Sequence, residues 1–292
     1  MARSVLLLVN PDKPEVAVAT EEIRALIEQH GTIVAELPAD NEPLPDNLPR
    51  PDLIVVLGGD GTLLAQTRRC VELDAPMLGV NLGKIGFMAE FDMPSVRLQA
   101  ESLFGAGPLA IRKLGLIHAE VHRGERNPIR FAGSAVNDCV ITAGPPYRLI
   151  TLALTIDGTL GPTVHGDGLV ISTPTGSTAY NLSTGGPIVA PTVEALSISP
   201  IAAQSLSFRP IVVGSSSIIE ITMLRVNRAS GEHGTTLVLD GQVHTPLNLG
   251  DRVLVTSHGR HVRFVRNPAS DYWSRLINKL HWARAPRGRL TD

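Results

Sequence analysis

The chain has 292 residues, 43% of them hydrophobic, which is enough for two ordinary domains with their own cores. Its 26 Lys and Arg residues nearly balance 28 Asp and Glu residues, so no overall field draws it to nucleic acid or an anionic membrane. No apolar run approaches the ~20 residues of a spanning helix, and the only cysteines, Cys70 and Cys139, suit a reducing compartment. We therefore expect a soluble cytoplasmic protein.

Strand and helix patterns alternate in the first third of the chain. Apolar runs at 4–9, 33–37 and 53–57 predict strands, and a helical pattern between the first two ends with Gly31 as its C-cap. The apolar positions of that helix are Val16, Ile23, Leu26 and Ile27. The third strand ends in glycines and leads into another helix, which begins near Thr62. This alternation indicates a parallel sheet with helices packed on it.

After about Gly107, short β-rich runs with turn residues between them replace the helical periodicity. The runs that predict strands are 116–121, 136–142, 150–156, 169–173, 218–223, 235–239, 252–256 and 261–265. Two pairs, Asp157-Gly158 and Asp240-Gly241, stand where tight hairpins require positive backbone angles. Residues 272–280 predict one last amphipathic helix. The second half is therefore predicted to be a β domain.

The sharpest local motif is the glycine-rich loop Gly58–Thr62, between the third strand and the following helix. Its three glycines let backbone N–H groups approach an anion, and the helix N-terminus adds a favourable dipole. A carboxylate here repels phosphate unless it accepts a hydroxyl proton or holds a metal ion, so Asp60 is a candidate catalytic residue. The loop matches neither a P-loop nor a dinucleotide fingerprint. An ordinary turn is an equal alternative on composition alone.

A second block of small hydroxyl residues and glycines runs from Gly166 to Pro187, where a strand ends in a loop. A site that binds sugar hydroxyls and phosphates through short hydrogen bonds needs such residues. Tyr180 adds a ring that can stack on a base. The alternative is a Ser/Thr-rich crossover loop, which composition alone favours.

Together, the two motifs resemble the paired signature of the NAD kinase family. The segments that carry the resemblance are 58–62 and 167–180 with Gly185-Gly186-Pro187, supported by 78–88, 137–138, 206–210, 240–242 and 271–282. The Gly-Gly-Asp-Gly element alone is shared with diacylglycerol-type lipid kinases and phosphofructokinases. The block Thr173–Tyr180 narrows the resemblance to NAD kinases. The resemblance implies transfer of the terminal phosphoryl group of ATP to the adenosine ribose 2′-hydroxyl of NAD, giving NADP and ADP.

The resemblance also implies roles for individual residues. Asp60 matches the general base on the 2′-hydroxyl, and Gly61 contacts the same ligand. Asn137 and Asp138 match a pair that holds ribose hydroxyls and the nicotinamide end. The other positions that match NAD contacts are Arg148, His165, Asp167, Thr178, Ala179, Tyr180, Asn181, Leu182, Ser183 and Gln242. The residues of the phosphate loop are Gly58, Gly59, Gly61 and Thr62.

A divalent ion, Mg²⁺ or another, is expected to act together with ATP as the cofactor of such an enzyme. The sequence offers no metal site built confidently from protein side chains. The remaining histidines, among them His118, His122 and His233, form no cluster with metal-ligand spacing.

By the same resemblance, the N-terminal domain is α/β, Rossmann-like and phosphofructokinase-like, and covers residues 1–107. A C-terminal all-β sandwich domain that binds NAD covers 108–267, and within 268–292 a helix returns to the first domain. The resemblance further implies a homodimer or homotetramer in which a subunit interface completes the site.

Three positions depart from the family pattern or vary within it. Asp138 stands where most relatives carry Glu, and its side chain reaches ~1.5 Å less far. Gln204 stands where many relatives carry His, and unlike His it does not take up a proton near neutral pH. His165 lies at a position associated with the choice between NAD and NADH. The departures keep a catalytically weak NAD(P)-binding module as an alternative, beside a lipid kinase of the diacylglycerol kinase type. The carboxylate of Asp60 argues against a weak binding module, and the hydroxyl-rich block argues against a lipid kinase.

Overall fold

A computed structural model describes residues 2–10, 14–83, 86–124, 128–228 and 234–282 of the chain. The chain divides into two compact units. The first unit consists of Met1–Arg112 with Arg263–Asp292, and the second consists of Lys113–Val262. Two long strands extend across the boundaries of this division, at 111–123 and 251–265.

The first unit contains a parallel sheet with helices packed on it. Its elements are β1 (Ser4–Val9), α1 (Pro14–His30), β2 (Thr32–Pro38), β3 (Leu53–Leu57), α2 (Asp60–Cys70), β4 (Met77–Val80) and α3 (Met93–Phe104). The strand order is β2-β1-β3-β4, all parallel. Every residue of β3 is fully buried, because a parallel sheet covered on both faces needs continuous apolar strands. The predicted strands β1 and β3 are confirmed at both ends, whereas β4 and α3 were not predicted.

The second unit contains two antiparallel sheets. Its elements are β5 (Ile111–Arg123), β6 (Ile129–Ala135), β7 (Asp138–Thr142), β8 (Ile150–Ile156), β9 (Thr159–Gly166), β10 (Gly168–Ser172), α4 (Tyr180–Ser183), β11 (Ala195–Ile201), β12 (Ile211–Gly214), β13 (Ile219–Arg225), β14 (Thr236–Leu239), β15 (Val243–Pro246) and β16 (Asp251–Val265). One sheet has the order β12-β11-β10-β7-β14-β15. The other contains β16-β13-β8-β9, with β5 paired to β16 and β6.

The two sheets of the second unit pack face to face over one apolar core. Ile141 and Leu169 enter this core from one sheet, and Leu152, Ile221 and Val253 enter it from the other. A sandwich follows, since each sheet buries one face against its partner. The predicted fold class, an α/β domain followed by an all-β sandwich, is therefore confirmed.

Several strands of the sandwich differ from the prediction. The runs predicted at 252–256 and 261–265 are one long strand, β16, and β8 is confirmed at both ends. The strands that were not predicted are β6, β9, β11, β12 and β15. Pro162 lies within β9 and Pro200 within β11, and proline is a signal against a strand when read from sequence. Both predicted hairpins are confirmed, because Asp157-Gly158 and Asp240-Gly241 have positive φ angles between 50° and 75°.

The last helix, α5 (Tyr272–Leu280), belongs to the first unit. The Asp271 carboxylate caps it by accepting a hydrogen bond from the Ser274 N–H at 2.8 Å. Leu276 is fully buried, and Lys279 Nζ lies 5.5 Å from the centre of the Phe87 ring. Residues 283–292 lie outside the described part of the chain. No helix among the described residues is long and apolar enough to cross a membrane.

Gly31 follows α1, but not in the left-handed conformation that a glycine C-cap requires. Its N–H donates to the Ile27 carbonyl at 2.6 Å, which continues the helical pattern by one residue. A Cβ atom at this position would lie 2.8 Å from the Arg3 carbonyl oxygen and 3.0 Å from that of Phe104. The glycine is therefore required by close packing of three backbone segments, and it directly follows the helix as predicted.

Replacing Gly31 by Ala should lower the free energy of unfolding by about 1–3 kcal/mol, because two backbone oxygens must move away from the new methyl group. Urea denaturation measures the change. Gly107→Ala is the matched control, since no described atom lies within 4 Å of its Cβ position. We expect the control to change stability by no more than about 0.5 kcal/mol. Equal losses in the two variants would show that the close approach at Gly31 is unimportant.

Candidate active site

The loop that follows β3 brings one carboxylate into a dense set of backbone donors. Asp60 is the first residue of α2, so the helix begins two residues earlier than predicted. Its Oδ2 accepts the Phe87 N–H at 2.7 Å, and its Oδ1 accepts the N–H groups of Met88 and Ala89 at 3.3 and 3.1 Å. A Cβ on Gly86 would lie 1.8 Å from Oδ1, so only glycine fits there. The Asp60 carboxylate is therefore fixed by the segment Gly86–Ala89.

The glycines of the loop differ in what surrounds them. A Cβ on Gly58 would lie 2.8 Å from the Thr62 side chain, so the packing of the loop itself excludes a larger residue. Gly59 and Gly61 have no described atom within 4 Å of their Cβ positions, and neither has a positive φ. Gly59 is the N-cap of α2 and contributes no side-chain cap. The fold of the described residues thus does not require these two glycines, whereas close approach of a phosphate would.

In the second unit, a cavity of about 330 Å³ lies along one face of the six-stranded sheet, from Asn137 to Thr142. The residues that line it include Asn137, Asp138, Ala179, Tyr180 and Asp240. The strand register of β7 with β10 and β14 explains why these lining residues lie together. Asp138 is opposite Ser172, where β10 ends and the hydroxyl-rich loop begins, and Cys139 is opposite Leu239, which precedes the hairpin at Asp240. The cavity thus combines a candidate stacking ring, an amide and two carboxyl groups.

Asp240 holds the backbone of this cavity, a role that the sequence analysis did not assign. Its Oδ1 accepts the N–H groups of Asn137 and Asp138 at 2.7 and 3.2 Å, and its Oδ2 accepts that of Val136 at 3.0 Å. The Asp240 N–H also donates to the Asp138 carbonyl at 3.0 Å. The Asp-Gly pair indicated only a hairpin, because Asp is a common turn residue.

The Asp138 carboxyl group is buried, with 4% of the residue exposed, and no described donor lies within hydrogen-bond distance of it. Burial, and then the nearby Asp240 carboxylate, raise the pKa of Asp138 to about 7. This acid therefore changes its charge near neutral pH. Its unpaired oxygens lie at the cavity wall, where they are available to a ligand hydroxyl.

Most hydroxyl groups of the block 172–178 bind the protein backbone instead of facing outward. The Thr173 hydroxyl donates to the Val136 carbonyl at 2.6 Å, and the Ser177 hydroxyl donates to that of Pro174 at 2.6 Å. A Cβ on Gly176 would lie 2.1 Å from the Asn137 carbonyl oxygen. The crossover-loop alternative therefore accounts for these residues, which fold the loop against the segment before β7.

The Asn181 side chain is also occupied within the protein. It is fully buried, donates to the Pro187 carbonyl at 3.0 Å, and accepts the hydroxyls of Ser197 and Ser199 at 3.1 and 2.7 Å. A Cβ on Gly186 would lie 2.2 Å from its Oδ1. Asn181 thus ties the loop to β11. Tyr180 and Ser183 are exposed beside it, and Thr178, Ala179 and Leu182 are half-buried.

The other predicted contacts form a second group at the opposite end of the same sheet. Asp167 precedes β10 and lies about 17 Å along this strand from Ser172, which is opposite Asp138, whereas Thr142 at the other end of the cavity is opposite Gly168. His165 is opposite Thr151 in the neighbouring sheet, and its Nδ1 is 3.1 Å from the Thr151 hydroxyl. Arg148 lies just before β8 and is exposed. The exposed Gln242 belongs with the cavity group, because it follows the hairpin that continues β14.

Gln204 lies with this second group. Its N–H donates to the His165 carbonyl at 2.8 Å, and the Asp167 N–H donates to the Ile201 carbonyl at 2.9 Å. The segment after β11 is therefore tied to the ends of β9 and β10. The two departures from the family pattern, Asp138 and Gln204, consequently lie at different ends of the six-stranded sheet.

Among the described residues, no three His, Cys, Asp or Glu side chains are grouped so that they hold a metal ion. His118 and His122 approach the two carboxylate oxygens of Glu120, at 3.2 and 2.9 Å. His233 lies outside the described residues.

Both parts of the chain match models of known protein families. Residues 49–107 match the ATP-NAD kinase N-terminal domain, and residues 136–267 match the ATP-NAD kinase C-terminal domain. The chain belongs to the NAD kinase family. It is therefore an ATP-dependent phosphotransferase that phosphorylates NAD, which confirms the function predicted from the two motifs. The lipid-kinase alternative is not supported, since both matched segments are those of NAD kinases.

Relatives in this family align with most of the chain. The NAD kinase of Syntrophobacter fumaroxidans is 40% identical over 236 residues, 80% of each protein. That of Rhodopirellula baltica is 33% identical over 287 residues, 98% of this chain and 88% of the relative. The crystal structure of yeast NADH kinase complexed with NADH has a TM-score of 0.80 at 25% identity, and covers 99% of this chain and 90% of that one. An NAD kinase from Archaeoglobus fulgidus in complex with ATP shares the fold, with a TM-score of 0.70 at 21% identity over 95% and 98%.

Replacing Asp138 by Asn should change how stability depends on pH. The folded protein keeps the Asp138 proton until about pH 7, whereas the unfolded chain releases it near pH 4. The folded state therefore binds the extra proton in this window, and the contribution of Asp138 to wild-type stability falls as the pH rises, by up to about 1.4 kcal/mol per pH unit.

Urea denaturation of both proteins between about pH 4 and pH 9 measures this effect. The free energy of unfolding of the wild type minus that of Asp138→Asn should decline up to about pH 7 and then stay level. A difference that is constant with pH would show that Asp138 ionises normally in the folded protein.

Proposed function

We propose that Asp60 is the general base that accepts the proton of the adenosine ribose 2′-hydroxyl of NAD. The supporting observation is the set of three backbone N–H groups on its carboxylate. A carboxylate has about four lone-pair positions, so three are occupied and one, on Oδ2, is left for a substrate hydroxyl. The three N–H groups fix the direction of that remaining position. A base held in this way loses little entropy when the hydroxyl arrives.

The reaction then balances as an in-line displacement. The ribose 2′-oxygen forms a bond to the terminal phosphorus of ATP while the bond from that phosphorus to the bridging oxygen breaks. The 2′-hydroxyl proton goes to Asp60, and ADP leaves with the electron pair of the broken bond. The loop at Gly58–Thr62 and the N-terminus of α2 hold the phosphates, for which the open space at Gly59 and Gly61 provides room.

We propose Mg²⁺, or another divalent ion, as the cofactor that accompanies ATP. The described residues fit an ion carried mainly by phosphate oxygens and water, because they hold no three-ligand cluster and Asp60 is the only carboxylate in the loop. When bound, the ion neutralises charge on the triphosphate. Asp60 keeps its orientation through backbone N–H groups, which requires no metal.

For NAD itself, we propose that the cavity of the second unit binds the nucleotide. Tyr180 has 45% of its surface exposed and can stack on a base. Asn137 and the unpaired carboxyl of Asp138 suit ribose hydroxyls, because an amide and a carboxyl both bond to them. Asn181 acts through the loop that it holds, since its side-chain amide is already hydrogen-bonded to Pro187, Ser197 and Ser199.

We also propose that the protein works as a homodimer or homotetramer in which one NAD contacts two subunits. The support is the separation of the predicted contacts, because Asp167 lies about 17 Å along β10 from Ser172, which is opposite Asp138. A second copy can bring its Arg148, His165 and Asp167 to the cavity of the first.

Mixing two inactive variants tests this assignment. Asp167→Asn removes a group from one end of the sheet, and Asn137→Ala removes one from the other. If the groups belong to different subunits, each hybrid dimer contains one intact site, and subunit exchange should restore about a quarter of wild-type turnover. Analytical ultracentrifugation establishes that the variants assemble. Exchange without recovered activity would mean that both groups serve the site of their own subunit.

The cytoplasm is the compartment that we propose, in keeping with the state of the cysteines. Cys70 and Cys139 are both free and buried. Burial raises the pKa of Cys70 to about 12 and raises that of Cys139 as well, so neither thiol is a reactive thiolate. Two buried thiols without a disulfide are typical of proteins from a reducing compartment.

Asp60→Asn should lower kcat by about 10²–10⁴-fold while NAD affinity stays near that of the wild type, because an amide does not accept the proton. Turnover is read with ATP, Mg²⁺ and NAD or NADH through an NADP-specific coupling enzyme, and affinity by calorimetry. Asp92→Asn is the matched control: it makes the same chemical change in the first unit, at the N-cap of α3, where asparagine also caps. Near-normal turnover of Asp60→Asn would refute the base assignment. NAD binding without turnover in the wild type would support the weak binding module instead.

A further inference from the structure

Glu90 is a buried carboxylate for which the proposed mechanism has no role. Only 3% of the residue is exposed, although burial of a charge is costly unless it is paired. It directly follows Phe87–Ala89, the segment whose N–H groups hold the Asp60 carboxylate. A group that fixes Glu90 therefore also fixes one end of that segment.

The Glu90 side chain and backbone are held from several directions. Its Oε1 lies 2.8 Å from Arg275 Nη2 and 3.3 Å from Arg112 Nη1. Its Oε2 accepts the Asn267 N–H at 3.0 Å, and its carbonyl oxygen accepts Asn267 Nδ2 at 3.1 Å. Gln99 Nε2 in turn donates to Asn267 Oδ1 at 3.1 Å. Arg112 at the start of β5, Asn267 after β16 and Arg275 in α5 thus meet at one carboxylate, and Gln99 of α3 supports Asn267.

The charges in this cluster depend on Glu90. Two guanidinium groups share its carboxylate, and burial lowers the pKa of Arg112 while Glu90 opposes that shift. Nε of Arg112 and both Nε and Nη1 of Arg275 are buried without a hydrogen-bond partner among the described residues. Asp60 also opposes the lowering of the Arg112 pKa, but less strongly than Glu90 does, so Glu90 is the main counter-charge of Arg112. Loss of the carboxylate would leave two buried cations to rearrange.

We propose that Glu90 is a positioning residue for Asp60. The Glu90 cluster clamps the C-terminal end of Phe87–Ala89, and these three N–H groups set the direction of the Asp60 lone pair that receives the substrate proton. This inference rests on the proposed role of Asp60 as the base. Because displacement of a reacting group by about 1 Å is enough to cost about 10²-fold in rate, a remote clamp affects turnover.

Glu90→Gln in the full chain tests the proposal, since glutamine keeps the shape and removes the charge. We expect kcat to fall about ten- to a hundredfold, with KM for ATP and for NAD within about twofold of the wild type, because orientation of the base acts on the chemical step. Glu90→Asp retains the charge at shorter reach and should lose less activity; it also serves if Glu90→Gln does not fold. Wild-type kcat in a folded Glu90→Gln would overturn the proposal, and so would a loss confined to KM.

Asp251→Asn is the matched control for burial and charge. Asp251 is 1% exposed, lies 2.9 Å from Arg130 Nη2, and accepts the Asn248 N–H at 2.8 Å, all within the second unit. This variant should lose thermal stability as Glu90→Gln does, yet keep kcat within about twofold of the wild type. An equal fall of kcat in both variants would mean that Glu90 has only a structural effect.

The double variant Asp60→Asn/Glu90→Gln separates this inference from the proposed function. If Glu90 acts through Asp60, the double variant should turn over about as fast as Asp60→Asn alone, because no base is left to position. Losses that multiply would show that Glu90 acts by another route. Normal turnover of Asp60→Asn would refute the base itself, whereas a slow Asp60→Asn beside a normal Glu90→Gln would refute only the positioning role.

Discussion

Each unit depends on one carboxylate that gathers three consecutive backbone N–H groups. In the first unit Asp60 binds those of residues 87–89, and in the second Asp240 binds those of residues 136–138. Hydrogen bonds from N–H groups to an ionised acceptor are stronger than neutral ones, so each carboxylate holds an irregular segment that no strand or helix would hold. Asp60, Asn137 and Asp138 lie on or beside these segments. Preorganisation therefore comes from two acids at loop positions.

The same device has opposite consequences in the two units. The Asp60 carboxylate retains one lone pair beside the glycine loop, which suits proton transfer. In the second unit Asp240 also accepts three backbone N–H groups, and the buried Asp138 carboxyl group lies close enough to be affected by its charge. Burial, and then this charge repulsion, raise the pKa of Asp138 towards neutral pH. One set of three N–H groups thus orients the proposed base, and the other fixes a carboxylate beside an acid whose pKa is raised.

Sequence was sufficient where a residue pattern had one physical explanation. The strands β1 and β3 were predicted at both ends because continuous apolar runs are required when both faces of a parallel sheet are buried. The hairpin at Asp240-Gly241 was predicted because few residues tolerate positive φ. The role of the Asp240 carboxylate was missed, since its three partners are about a hundred residues away in sequence. Long-range hydrogen bonds to the backbone leave no pattern in a single sequence.

In the hydroxyl-rich block too, the sequence does not reveal which side chains form hydrogen bonds within the fold. Serine and threonine donate equally well to a ligand and to a carbonyl, so composition does not distinguish the two. In the structure Thr173 and Ser177 bind carbonyl groups, and Asn181 binds two serines of β11. In the proposed NAD site, ligand contacts fall instead to residues that these bonds leave exposed, chiefly Tyr180.

The positions of Asp138 and Gln204 bear on what the two departures from the family pattern mean. Within one chain they lie at different ends of the six-stranded sheet, so neither side chain is placed to compensate directly for the other. If the end that holds His165 and Gln204 serves the cavity of a second subunit, both departures act on the same bound NAD. The shorter acid would then leave a gap on one side of the ligand, while the glutamine would offer a neutral donor on the other. An amide donor needs no proton from solvent, whereas Asp138 titrates near pH 7. Any dependence of NAD affinity on pH that these two positions cause should therefore come from Asp138.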